Sequence, residues 1–181
     1  MINGSLFKQS IAKGDQLRFR QLMEFTSDEL MLFAMGFVKQ KEIAEEIVSD
    51  VFVKVWRNRA EIDTILNLKS YLFVCVRNGC LSHIRKEKGD KTISIETLGD
   101  FQLLPMSDTD HSMIEKETIE KIYSAIELLP PKCKMAFTLA KINGLRYREI
   151  AEIMDVSEKT VNNHLVSAVQ KITESLNIRK K

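Results

Sequence analysis

The chain has 181 residues, 44% of them hydrophobic and 29% charged, with only 7 Gly and 3 Pro. This is ordinary globular composition, enough for one domain or two small ones, and it favours helices over a strand-and-turn fold. A formal net charge of +2 and an odd count of 3 Cys argue against a strongly basic nucleic-acid binder, read as a whole, and against a disulfide framework.

In chain order, the pattern predicts a short helix near residues 5–13, ended by Lys13-Gly14-Asp15. Residues 15–38 follow as a helix, unusually apolar from Leu30 to Val38, which must be buried nearly all round. Residues 42–57 place Ile43, Ile47, Val48, Val51, Phe52 and Val55 at three- and four-residue steps, one broad helix face. Residues 68–86 repeat the device with Leu72, Phe73, Val76, Cys80, Leu81 and Ile84; Gly79 inside that helix costs about 1 kcal/mol relative to Ala. Residues 89–112 lose the period and carry Gly, Pro, Ser, Thr and Asp clusters, a connector too long for one compact domain. From Met113 the period returns with Ile119, Ile122, Ile126 and Leu129 on one face. Pro131 suits the first position of the next helix, which ends at Asn143-Gly144. Two more helices cover 146–154 and 158–176, the last turning Val161, Leu165, Ala168, Val169, Ile172 and Leu176 inward. The expected fold is all-α: two small helical domains, residues 1–88 and 113–181, joined by a flexible acidic linker at 89–112.

Charge follows the same division. Residues 1–88 hold 14 Lys/Arg and 11 Asp/Glu, a net +3; residues 113–181 hold 12 and 9, also +3. Between them Lys91 stands against Asp90, Glu96, Asp100, Asp108 and Asp110, a net −4. Cys75, Cys80 and Cys133, with His83, His111 and His164 scattered, show no metal-ligand spacing, and unpaired cysteines suit a reducing cytosol. The N-terminus has no signal-peptide core and no apolar run approaches a membrane span, so a cytoplasmic protein is expected. No nucleophile with its base, phosphate loop or catalytic carboxylate pair is visible. Neither an enzyme, a cofactor, a metal nor a small-molecule substrate is expected.

Residues 147–165, YREIAEIMDVSEKTVNNHL, have the pattern of a helix-turn-helix. Ser157 suits an N-cap, and Asp155 sits where the turn wants a left-handed residue. In such a unit the second helix enters the major groove by its N-terminal residues. The side chains expected to face outward there are Lys159, Thr160, Asn162, Asn163, His164 and Ser167. Asn can bridge N6 and N7 of adenine, and Lys can reach guanine or phosphate. Arg146, Tyr147 and Arg148 are placed for backbone phosphates. A second candidate surface is the end of the 68–88 helix: Arg77, Asn78, Ser82, His83, Arg85, Lys86 and Lys88, with Tyr71 and Phe73 upstream. Basic side chains near aromatics can hold single-stranded nucleic acid, although a basic helix end also suits the helix dipole. Trp56, the only tryptophan, reads as a core anchor.

Both halves resemble one family. AEEIVSDVFVKVW at 44–56 and LKSYLFVCVRNGCLSHIRKEK at 68–88 resemble region 2 of sigma-70-family RNA polymerase sigma factors. Residues 126–172 resemble region 4, and the order, with a short linker and no third domain, is similar to the extracytoplasmic-function (ECF) group. The resemblance implies that the chain binds core RNA polymerase and directs promoter-specific initiation. It implies that Glu46, Ser49, Asp50 and Arg57 meet the β′ coiled coil, and that residues 77–88 engage the −10 element and hold an extruded base. The last helix would read the −35 element, region 4 would rest on the β flap, and the acidic linker would follow the RNA exit path. A membrane-bound anti-sigma factor is the other implied partner. Against the family pattern, Thr26-Ser27-Asp28 replace an aromatic pair and Pro, Ser49 a Gln, Ser82 an Asp, Arg146 a Ser N-cap and Asp155 a Gly. The Arg146 change implies a loss of about 1 kcal/mol of capping. The rival reading is a response-regulator-type activator. It would need an α/β receiver domain upstream, which residues 1–88 do not show. A module that only holds a protein partner is a third class, disfavoured by Lys159 and Asn163 in the leading turn.

Overall fold

A computed structural model of the chain describes residues 4–89, 101 and 121–176. All regular structure among them is helical. Contacts divide the chain into two compact units, Met1–Ile95 and Glu96–Lys181. The linker carboxylates and Ile119 lie outside the described residues.

The first unit holds α1 (Ser5–Ala12), α2 (Gln16–Val38), α3 (Lys41–Arg57) and α4 (Leu68–Lys88). A 3-10 helix at Arg59–Thr64, not visible in the periodicity, links α3 to α4. Gly14 at φ +95° makes the turn between α1 and α2, and the Asp15 carboxylate caps α2 by accepting from Arg18 N–H at 3.0 Å. α2 packs on both α3 and α4. From Leu30 to Val38 every residue is buried or half-buried, as the apolar run requires of a central helix. The Phe33 ring meets Phe73 at 5.0 Å and Phe37 at 5.1 Å, edge to face, at the α2–α4 contact. Burial of the α3 and α4 faces follows the sequence pattern, with only Ile43 half-buried rather than buried. Burial pushes the Cys80 thiol up to about 12, which makes it an inert core group.

Gly79 has a reason to be in α4. A Cβ built there would lie 2.8 Å from Ile47 Cγ2 of α3. The helix accepts a poor helix former because the two backbones cross closely at this point.

The second unit contains the end of a helix, α5, at residues 121–127, then α6 (Pro131–Phe137), α7 (Tyr147–Met154) and α8 (Glu158–Ser175). Pro131 takes the first helical position, as expected. Past Phe137 the helix widens to a π-turn at Thr138–Ile142, a local change the sequence pattern does not reveal. Gly144 at φ +66° closes it. Ile126, Leu129, Cys133 and Ala168 form a core against which Phe137 and Ile172 pack. The buried Lys134 ammonium meets the Glu127 carboxylate at 2.8 Å and ties α6 across the two prolines to α5. Two expected core residues are not in it: Ile122 is 39% and Val169 46% exposed. Both sit at the margin of their apolar stripe, where 3.6-residue periodicity cannot tell the edge of a buried face from its centre.

Candidate nucleic-acid interface

The helix-turn-helix is built from local backbone chemistry. α7 buries Ile150, Ala151, Ile153 and Met154. Its backbone then turns left-handed at Asp155, φ 57° and ψ 48°, and Asp155 N–H closes on Ala151 C=O. Ser157 Oγ accepts from Thr160 N–H at 3.1 Å and starts α8. Arg146 cannot cap α7 with its side chain, because a guanidinium has no acceptor. The other half of the capping arrangement survives: Glu149 Oε2 accepts from Arg146 N–H at 2.8 Å.

α8 buries Val161, Leu165 and Ala168. That rotation sorts the six expected −35 residues into two sets. Lys159, Asn162 and Asn163 are exposed, at spacings that share one face. Thr160 is half-buried, and its hydroxyl shares a 2.8 Å hydrogen bond with Ser157 Oγ as part of the cap. Ser167 is also half-buried. His164 departs most from its outward placement. It turns toward α6, with Nδ1 3.8 Å from the buried Cys133 Sγ. Burial, with the Lys132 charge beside it, holds the imidazole below its usual value. Val166 completes the exposed face instead, at 59% exposure. It sits at i+3, i+4 and i+7 from Asn163, Asn162 and Lys159, a spacing that does signal it, but its apolar type removed it from a polar inventory. Arg146, Tyr147 and Arg148 are all exposed at the start of α7; Arg148 Nε lies 3.6 Å from Glu152 Oε1 on the next turn.

The second surface is α4. Asn67 Oδ1 caps it by accepting from Ser70 N–H at 3.0 Å. At 3.6 residues per turn, Tyr71, Asn78, Ser82 and Arg85 fall within a narrow arc opposite the buried face. Tyr71, Asn78, Ser82, Lys86 and Lys88 are exposed, while Arg77 and His83 are half-buried at the flanks and Arg85 is half-buried within the arc. Phe73 keeps its place on the buried face, packed on Phe33, so of its two expected roles the one beside the basic helix end falls away: it offers nothing to a base. Tyr71 is the exposed aromatic of this face.

A third surface lies on α3. Glu46, Ser49, Asp50 and Arg57 are exposed on one stripe, together with Val53 at 47% exposure, which the polar inventory again omits. Beside it a groove of about 480 Å³ runs between α2 and α3, with Phe19, Met23, Phe52, Val53 and Trp56 in its walls. Trp56 is half-buried rather than a core anchor: it packs on Phe19 at 4.9 Å, with the Arg59 guanidinium 4.8 Å from its ring centre. Among the described residues no group of three His, Cys, Asp or Glu could hold a metal. None of the described helices is long and apolar enough to cross a membrane.

A helix-turn-helix with a polar leading face in one unit, and a basic-ended helix with an exposed aromatic in the other, define a two-unit helical protein of the DNA-binding class. Comparison with known proteins gives the family. Residues 26–89 match the model of sigma-70 region 2 and residues 119–172 that of sigma-70 region 4. The chain is 25% identical over 152 residues to the ECF RNA polymerase sigma factor SigM of Bacillus subtilis (strain 168), covering 84% of this chain and 91% of that one. It is 24% identical over 172 residues to the ECF sigma-E factor of Escherichia coli (strain K12), covering 91% and 89%. Among solved structures, the sigma factor RpoE in complex with the anti-sigma factor NepR from Bartonella quintana superposes with a TM-score of 0.61 at 22% identity, over 90% of this chain and 98% of that one. CnrH in complex with the cytosolic domain of CnrY gives 0.60 at 18%, over 97% and 98%. The chain belongs to the sigma-70 family of RNA polymerase sigma factors, in its ECF group.

Proposed function

We propose that this chain binds core RNA polymerase in the cytoplasm and directs initiation at promoters whose two elements its two units read. The observation that carries the reading is the presence, in one chain and in this order, of a region 2 match and a region 4 match. The domain division is part of the proposal: 1–88 as the polymerase and −10 module, 89–112 as linker, 113–181 as the −35 module. Glu46, Ser49, Asp50 and Arg57 meet the polymerase β′ coiled coil, with Val53 supplying apolar area within the same stripe. Asn78, Ser82, Arg85, Lys86 and Lys88, flanked by Arg77 and His83, engage the −10 element, with Tyr71 available for stacking. Lys159, Asn162, Asn163 and Val166 read the −35 element, and Val166 suits a thymine methyl. Arg146, Tyr147 and Arg148 hold the adjacent phosphates. Thr160, His164 and Ser167 support that face more than they contact it, because their side chains are engaged or half-buried.

A helix-turn-helix activator is not favoured, because the described residues of the first unit contain no strand from which a receiver domain could be built. Two solved relatives of the fold are complexes, one with an anti-sigma factor and one with a cytosolic domain. They support an anti-sigma factor as the partner that holds this chain inactive; its anchoring to the membrane and a β flap contact of region 4 are what the family resemblance adds. Run-off transcription with core polymerase tests the reading. The expected result is promoter-dependent transcripts from the mixture and none from either component alone. Failure to co-purify with core polymerase would sink it.

A further inference from the structure

The −10 face contains a side-chain arrangement that bears on base choice. Arg77 and Asn78 are neighbours in α4, and the Arg77 guanidinium bends across to its neighbour's amide. Asn78 Oδ1 accepts from Arg77 Nη2 at 2.7 Å and from Arg77 Nε at 3.0 Å. A guanidinium carries only donors, so the amide oxygen, not its nitrogen, must face it. Both donors converge on the one oxygen from the same edge of the guanidinium, a charge-assisted chelate that ties Oδ1 to Arg77. Asn78 is exposed, at the centre of the face that also carries Tyr71, Ser82 and Arg85. What its amide has left to offer a ligand is the Nδ2 amine, with two donors and no acceptor.

We propose that Arg77 is a positioning residue that locks the Asn78 amide with its oxygen occupied, so that Asn78 offers an unpaired base donors only and selects carbonyl-bearing bases against adenine. The inference rests on the sigma reading above, in which α4 meets the −10 element. Its logic is the inverse of the usual asparagine contact. A free Asn reads adenine by accepting from N6 and donating to N7, which needs both ends of the amide. With Oδ1 taken, an exocyclic amine would face only another donor. Adenine then keeps at most one bond, to a ring nitrogen, with its N6 amine left against a donor, whereas thymine O4 accepts from Nδ2 with only a methyl beside it. Charge assistance from the guanidinium also polarises the amide and strengthens its N–H donors.

The experiment uses the full chain with core polymerase on a template library randomised across the −10 element, with transcripts sequenced. Asn78→Ala should flatten the base profile at one position, which identifies the base read. At that position the wild type should favour thymine over adenine by about three- to tenfold, the scale of one net hydrogen bond. Arg77→Ala should raise adenine to parity with thymine or above it, because the freed oxygen restores the bidentate contact. Asn78→Asp keeps the shape and the hold of Arg77 but exchanges the donor for an acceptor. It should move preference toward adenine and cytosine, and it decides the matter if Arg77→Ala fails to fold. A uniform loss on all four bases in both variants would overturn the proposal. So would a profile unmoved by Asn78→Ala. A wild type that makes no transcript from any template would instead overturn the sigma reading, and this inference with it.

Discussion

Asn163 and His164 are adjacent in α8, yet one is exposed and the other turned to the core. Asn163→Ala is expected to cost ~1–3 kcal/mol at one −35 position if the amide makes a bidentate base contact. Transcription from single-base promoter variants checks this, and an equal loss on every variant would show a phosphate contact instead. Lys159→Ala should weaken binding across all sequences and lower the salt slope by about one if it neutralises a phosphate. His164 carries a different consequence. Its folded value is depressed by burial and by Lys132, so the unfolded chain takes up the proton first. Stability is therefore complete above the usual imidazole value of about 6.5 and falls as pH drops through the depressed folded value. Urea unfolding of the wild type should lose more between pH 7.5 and 5.5 than that of His164→Gln. A parallel loss in both would show that His164 is not the group responsible.

At the level of elements, the most constrained contact is the crossing of α3 and α4 at Gly79. Alanine there gains about 1 kcal/mol of helix propensity, but its methyl would start 2.8 Å from Ile47 Cγ2. Overpacking of a tight core costs roughly 1–3 kcal/mol, so Gly79→Ala should destabilise on balance. Ile47→Ala combined with it should recover part of the crossing's loss, measured as a double-mutant cycle by denaturant unfolding. The start of α8 depends on one hydroxyl. Ser157→Ala removes the bond to Thr160 N–H and leaves the Thr160 hydroxyl without the Ser157 oxygen, for about 1 kcal/mol. Because this cap sets where the exposed face of α8 begins, the same variant should reduce −35-dependent transcription more than −10-dependent transcription.

Across the whole molecule, the charge of +2 conceals two basic blocks and an acidic connector, and each helical unit keeps its own apolar core. Reversing Glu46 and Asp50 to Lys should abolish co-purification with core polymerase while the helical circular dichroism stays unchanged. Retained co-purification would remove α3 from the polymerase contact. What the sequence determined by itself was the all-helical class, the positions of the long helices, Lys13-Gly14-Asp15 as the end of the first helix, Pro131 as a helix start, Ser157 as a cap and Asp155 as a left-handed turn. These depend on period, on backbone conformation or on a neighbour a few residues away, so a local reading reaches them. Only the tertiary structure decided which side chains at the edges of the stripes are exposed. It placed Val53 and Val166 on the surface. It sent His164 to Cys133, 31 residues earlier in the chain. It also explained Gly79 through Ile47. Each of these turns on a partner from a distant helix or on a few tens of degrees of helix rotation, and periodicity carries no information about either.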